Sequence, residues 1–339
     1  MATKKEVVKR AISFEEVHPV PYWIDFTPGA HRRLQEHLNK DHLGAFLGNY
    51  VIDVFANSCH GVVPDELQGD TWEDDFGVVW KGATVDRGAP FDHPLGSAPS
   101  LKGYEFPDPD DARRFNHLNK FLTDNSDLFT VVSLDFGLLF ERAWYLRGMT
   151  NLLTDLHLNP AFVEELLDHL VDFYLKSIEN ISCFNGLDAV CLIDDYGTQQ
   201  GLVMAPEMWR RFIKPRLAII VDVLAKYHLI PYLHCCGNVS DIIADFIDVG
   251  IKLLDPLQPE IMDLQDVKDK FGKQLTLLGG FSTQQIIPYG TENDVRKHIR
   301  DCLEVLGKGG GYIAFNGIPL QTDVPLENIL AIIDTLRNQ

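Results

Sequence analysis

The stretch His234-Cys235-Cys236-Gly237-Asn238 concentrates side chains able to do chemistry. It follows Leu229-Ile230-Pro231-Tyr232-Leu233, a short apolar run that reads as a buried strand. Side chains alternate along a strand, so His234 and Cys236 face one way and Cys235 the other. An imidazole and a thiolate converging at a strand end supply half of a zinc site. The competing reading is a satisfied histidine and an inert thiol beside a glycine turn. The vicinal cysteines could also be redox-active, but no C-x-x-C motif surrounds them.

A third ligand has to come from elsewhere. Asp194-Asp195-Tyr196-Gly197 closes the apolar run Ala189-Val190-Cys191-Leu192-Ile193. One of the two aspartates is expected to face the interior and the other to brace a loop. Asp195 is the candidate to ligate a metal, hold a substrate cation or accept a proton. A structural Asp paired with a backbone turn is the alternative. Asp25, Asp135, Asp255 and Asn316 also end apolar runs. About half of such residues are expected only to cap the next helix or turn. Asp25 and Asp195 are the candidate catalytic acids.

The elements that must position these groups alternate in type. Strand-like runs cover 20–25, 50–55, 129–135, 188–194, 229–234, 252–255, 275–279 and 311–316. Their interiors are rich in Val, Ile, Leu and aromatics, as parallel strands covered on both faces should be. Helical patterns lie between them. Asn159-Pro160 opens one as N-cap and first helical residue, Pro206 opens another with a restart at Pro215, Thr291 and Asp294 cap a third, and Pro325 starts the last. Eight strands alternating with helices predict an α/β fold, a (βα)8 TIM barrel, over 1–339 as a single domain. A doubly wound sheet is disfavoured because no G-x-G-x-x-G follows an early strand. Residues 56–120 break the alternation and are rich in Gly, Pro and Asp. They read as an insertion after the second strand, a β-hairpin excursion over the barrel mouth. Trp72, Phe76 and Trp80 within it read as strand residues packed in a core.

Composition narrows the function classes. The net charge of −19 repels phosphate backbones and anionic membranes, so neither nucleic acid nor membrane is an expected partner. The six cysteines show no disulfide framework, and Cys183, Cys191 and Cys302 are expected to be buried thiols. No apolar segment follows the N-terminal Met1-Ala2-Thr3-Lys4-Lys5-Glu6, and no helical pattern is long enough to span a bilayer. A reducing, cytoplasmic setting is the expectation. Monomer and homodimer are both left open.

Five stretches together resemble the uroporphyrinogen decarboxylase superfamily, in order and spacing. They are Phe140-Glu141-Arg142-Ala143-Trp144-Tyr145-Leu146-Arg147-Gly148-Met149, Asp194-Asp195-Tyr196-Gly197-Thr198-Gln199, Met204-Ala205-Pro206-Glu207-Met208-Trp209-Arg210-Arg211-Phe212, the His234–Asn238 run, and Asp323-Val324-Pro325-Leu326-Glu327-Asn328-Ile329. The resemblance implies a (βα)8 barrel. True decarboxylases of the family carry arginines after the first strand, whereas here no Lys or Arg lies between Ala11 and His31. A polyanionic porphyrinogen would meet Asp25 instead, which is electrostatically wrong. The other branch comprises corrinoid-linked methyltransferases, some of which use zinc to activate a thiol acceptor. Their His-x-Cys maps onto His234 and Cys236. Their third ligand, a cysteine after the last strand, is missing from Ala314-Phe315-Asn316-Gly317-Ile318-Pro319. Either Asp195 completes the set or the metal site is weak or absent. The resemblance therefore implies methyl transfer between a small donor, such as a methoxylated aromatic, and a corrinoid protein, with zinc at His234, Cys236 and Asp195. Two alternatives stand beside it: a metal-free decarboxylase or lyase acting on a small aromatic or heterocyclic acid, and a non-catalytic ligand-binding barrel.

Overall fold

The computed structural model describes residues 2–57, 71–82 and 88–339. Eight parallel strands form one sheet: β1 (Tyr22–Trp23), β2 (Val51–Phe55), β3 (Phe129–Ser133), β4 (Ala189–Ile193), β5 (Ile230–His234), β6 (Leu253–Leu257), β7 (Thr276–Gly280) and β8 (Tyr312–Phe315). Each pairs with its neighbour in chain order, and β8 returns to pair with β1. The remaining seam, between β1 and β2, is joined by Tyr50 N–H donating to the Tyr22 carbonyl at 2.9 Å. The Asn49 amide spans the same seam, donating to the Ile24 carbonyl and accepting its N–H. The molecule is a (βα)8 TIM barrel.

Side-chain alternation divides the strands between two cores. Trp23, Val51, Val131, Cys191, Tyr232, Leu253, Leu278, Ile313 and Phe315 fill the barrel interior. Trp23 and Phe315 stack there with ring centroids 4.2 Å apart. The opposite faces of the strands pack under the helices in a larger cluster. Val8, on the helix Lys4–Ile12, joins the interior cluster. Lys5 and Lys9 of that helix grip Asp188, just before β4, at 2.8 and 2.9 Å. The N-terminal end of the barrel is thereby plugged, and the polar strand ends face the other way.

The helices begin as expected at Pro160 and Pro206, the last begins at Leu326 with Pro325 as its N-cap residue, and Thr291 with Asp294 forms a capping box. Two local expectations are corrected. The Asn159 side chain does not cap its helix; its amide donates to Asp155, which also holds Arg147. Cys183 is exposed rather than buried, because it follows the last turn of the helix Pro160–Ser182. Cys191 and Cys302 are buried. No described helix is long and apolar enough to cross a membrane.

Thr71–Glu73, Val79–Lys81 and Ala89–Asp92 form a separate antiparallel sheet. Trp72 and Trp80 face each other across it, stacked at 5.7 Å, and Trp80 meets Tyr145 edge-on at 5.0 Å. Phe76 lies in the turn and is buried against Phe173. The turn is tied to the barrel by two buried arginines. Arg142 reaches Asp74 at 2.7 Å and Asp135 at 3.3 Å, and Arg114 reaches Asp75 at 2.6 Å and Asp135 at 3.6 Å. Asp135, just past β3, is thus a structural counterion. The parts of 56–120 at 58–70 and 83–87, Cys59 included, lie outside the described residues.

Candidate metal centre

Asp195, His234 and Cys236 come together at the C-terminal ends of β4 and β5. Their ligand atoms all lie within 4.8 Å of one another. Strand register sets this up: Ile193 pairs with His234, so the next residues on each strand run side by side. Cys236 N–H donates to Asp195 Oδ1 at 2.6 Å, Asp194 N–H to the His234 carbonyl at 3.0 Å and Asn238 N–H to the Thr198 carbonyl at 2.8 Å. The two loops also touch through glycines. A Cβ on Gly237, where φ is +90°, would lie 2.3 Å from the Gly197 carbonyl carbon. Only glycine permits that approach and that backbone conformation.

The neighbouring residues hold the donors in place. Asp194 is fully buried and accepts the N–H groups of Leu139, Phe140 and Glu141 at 3.0, 3.0 and 2.7 Å. It braces the start of the helix Phe140–Arg147, so Asp195 is the member that faces the site. Burial still pushes the Asp194 carboxyl up to about 6, against the pull of those three donors. Cys235 points away, buried at 1% exposure, and its sulfur accepts the Tyr196 N–H at 3.2 Å. Burial pushes its thiol well above the usual range.

His234 Nδ1 pairs with Asp255 Oδ2 at 2.9 Å, which turns Nε2 toward Cys236 Sγ, 3.5 Å away. A carboxylate behind a histidine fixes the tautomer and raises the basicity of the free nitrogen. Burial opposes charge on His234, but Asp255 and Cys236 outweigh it and hold the imidazole well above its ordinary range. Burial raises the Cys236 thiol, and His234 pulls it partly back. A cation replacing the shared proton would relieve both groups.

The donor set fits a zinc-sized ion. With Zn–S near 2.3 Å and Zn–N near 2.0 Å, a tetrahedral edge between sulfur and nitrogen is about 3.5 Å. The observed Sγ to Nε2 separation is 3.5 Å. Asp195 keeps a second oxygen free of the Cys236 N–H to serve as third donor. Asn316 is excluded as a ligand by its bonding. Its Oδ1 accepts the Asp25 N–H, and its Nδ2 donates to the carbonyls of Asp25 and Ile318. It stitches β1 to β8 instead.

The pattern of the uroporphyrinogen decarboxylase (URO-D) family matches residues 140–339, well over half the chain and all of this site. The chain belongs to the URO-D family. A curated relative, the methylcobamide:CoM methyltransferase MtbA of Methanosarcina mazei, is 23% identical over 201 residues, covering 58% of this chain and 52% of that protein. The chain thus matches about half the length of that relative. A solved structure described as a methyltransferase from Methanosarcina mazei superposes with a TM-score of 0.70 at 19% identity, covering 99% of each chain. At that identity the likeness speaks for the fold.

In this URO-D barrel Asp25 is not one of the three clustered donors. It lies past β1, where its side chain takes the Phe26 N–H at 2.8 Å. Its neighbour is Asp53, which strand reading passed over. Burial raises the Asp25 carboxyl to about 6. Burial, with the charges of Asp25 and Asp255, raises Asp53 to about 8. The legible signal was a carboxylate in the middle of Val51-Ile52-Asp53-Val54-Phe55. The orienting role of Asp255 was also missed, because that residue stands inside β6 and in register with His234 rather than at a strand end.

Raised carboxyl pKa values have a stability consequence with a definite sign. An unfolded aspartate titrates near 4. Between roughly pH 4 and 8 the folded chain therefore binds more protons than the unfolded chain, and stability falls as pH rises. Asp53→Asn is expected to flatten that fall and to stabilise the chelator-treated protein by about 1–3 kcal/mol at pH 8. Urea unfolding at pH 5 and pH 8 reads this directly, and parallel pH dependence in both proteins would refute it.

Proposed function

We propose that the protein moves a methyl group between a small donor and a corrinoid carried by a partner protein, with zinc held by His234, Cys236 and Asp195. The observation that carries this reading is the convergence of imidazole, thiol and carboxylate at the barrel mouth with zinc-compatible spacing. The name of the MtbA relative, a methylcobamide:CoM methyltransferase, points the same way. A polyanionic porphyrinogen does not suit a mouth that presents Asp25, Asp53 and Asp195.

The favoured donor is a methyl ether such as a methoxylated aromatic. An ether oxygen leaves poorly unless the charge growing on it is neutralised. Zinc, when bound, would supply Lewis acidity to that heteroatom. Asp255 keeps His234 in the ligating tautomer, and Asp195 serves as third ligand or as acid. The corrinoid domain has to approach the open mouth, where Tyr289, 81% exposed on the segment after β7, offers an apolar contact. We read the described parts of 56–120 as a cover over that mouth within one barrel domain, and the setting as cytoplasmic. One observation favours a metal-free lyase as second reading: Asp25 and Asp53 lie on adjoining strands with no lysine or arginine among the described residues paired to either, and a proton held there could pass to a carbanion.

Zinc analysis of protein purified without added metal, combined with methyl transfer from methoxylated aromatics to cob(I)alamin, tests the proposal. Stoichiometric zinc and methylcobalamin formation are expected. Folded protein that neither retains nor rebinds zinc, and methylates no reduced corrinoid, would sink it.

A further inference from the structure

Two carboxylates stand across the barrel from the metal donors. Asp53 lies in mid β2 and Asp25 just past β1, on strands that meet at the Tyr50–Tyr22 seam. Trp23 and Val51 belong to the interior layer, so Asp25 and Asp53, two residues further on, face the same interior one layer nearer the mouth. In the circular strand order, β1 and β2 are opposite β5 and β6, which carry His234 and Asp255. A substrate in the mouth would lie between the two walls.

The surroundings of Asp53 are unusual for a carboxylate. Among the described residues it accepts no hydrogen bond from another side chain, and no lysine or arginine reaches it or Asp25. The groups that face it are Asp25 from β1, Asp255 from β6, Cys191 from β4 and Tyr232 from β5. Asp255 is fully buried, and its Oδ1 finds no hydrogen-bond partner. Asp255 has His234 as its counter-charge, but Asp25 and Asp53 have none between them, so they cannot readily both ionise and one proton is retained on that pair.

We propose that Asp53, backed by Asp25, is the acid that protonates the departing heteroatom of the methyl donor. This rests on the methyl-transfer reading. The reduced corrinoid of the partner supplies the electron pair that forms the new cobalt–carbon bond. The carbon–oxygen bond breaks, and its pair stays on oxygen. The Asp53 proton converts that oxygen to a hydroxyl, and the carboxylate recovers a proton from water after release. Asp25 acts by keeping the Asp53 proton in place near neutral pH.

Donors with unequal need for a proton provide the test. Zinc-loaded wild type, Asp53→Asn and Asp25→Asn are compared on anisole and 4-nitroanisole, with cob(I)alamin as acceptor. Asp53→Asn is expected to lower kcat for anisole by about 10²–10⁴-fold, the usual worth of a general acid. Its effect on 4-nitroanisole should stay below about tenfold, since that leaving group departs as a stable anion. Asp25→Asn should keep anisole activity at low pH and move the alkaline limb of the profile downward. The infrared band of a protonated carboxyl at pH 7 should be present in wild type and absent in Asp53→Asn. Equal losses on both donors, unchanged activity of Asp53→Asn or a wild type without the band would overturn the acid role alone. A wild type that demethylates neither compound would overturn it together with the methyl-transfer reading.

Discussion

Replacing His234 by alanine is expected to abolish zinc retention and to lower methyl transfer by at least about 10³-fold while the barrel stays folded. The argument is geometric. His234 supplies the only imidazole in the donor cluster, and without it Cys236 and Asp195 form a two-donor site. The side chain ends β5 and is only partly buried, so its loss opens little core. It does leave Asp255 buried without its partner, so some stability is lost as well. Asp255→Asn separates positioning from ligation. All donors remain, but an amide can present its own donor to Nδ1 and favour the wrong tautomer. Zinc affinity should fall about 10–100-fold, the usual effect of losing such a partner. Competition against a chromophoric chelator measures both variants. Wild-type zinc affinity in His234→Ala would place the metal elsewhere.

Arg142→Ala is expected to destabilise the fold by about 3–5 kcal/mol, because it strands buried charge. Arg142 is 2% exposed and bonds Asp74, the Phe136 carbonyl and Asp135, while its guanidinium lies 4.2 Å from the Phe76 ring centre. Burial works against its charge, yet Asp135 and Asp74 more than compensate and hold it well above its usual range. Burial already raises the Asp135 carboxyl with both arginines in place, and without Arg142 the only guanidinium opposing it is that of Arg114. Adding Asp135→Asn to Arg142→Ala should restore part of the loss, since the orphaned charge is then gone. Urea unfolding monitored by tryptophan fluorescence is the measurement, with Trp72 and Trp80 reporting from the inserted sheet. A single variant within about 1 kcal/mol of wild type would show that the pair is solvated in solution.

Much of the architecture was legible because it is written in local pattern. The apolar runs recur at the spacing of barrel strands, and proline and threonine mark helix starts by chemistry that acts within a single turn. The pairing of His234 with Cys236, and the opposite orientation of Cys235, follow from strand alternation alone. Residues whose role depends on a distant neighbour were harder to read. Asn159 occupies a capping position but turns to Asp155, and Asp135 ends a strand yet serves two arginines.

The linear sequence therefore determined a parallel barrel with a nitrogen and a sulfur donor at the end of its fifth strand. Only the folded chain decided what stands around them. Barrel closure brings β4 beside β5 to supply Asp195, sets Asp255 in register behind His234, and faces Asp25 and Asp53 toward that wall from the other side. The physical reason is that electrostatic coupling acts through space, between groups that the chain separates by as many as 202 residues, counting from Asp53 to Asp255. Strand pattern tells which way a side chain points, whereas burial and the charges across the barrel decide whether it keeps its proton.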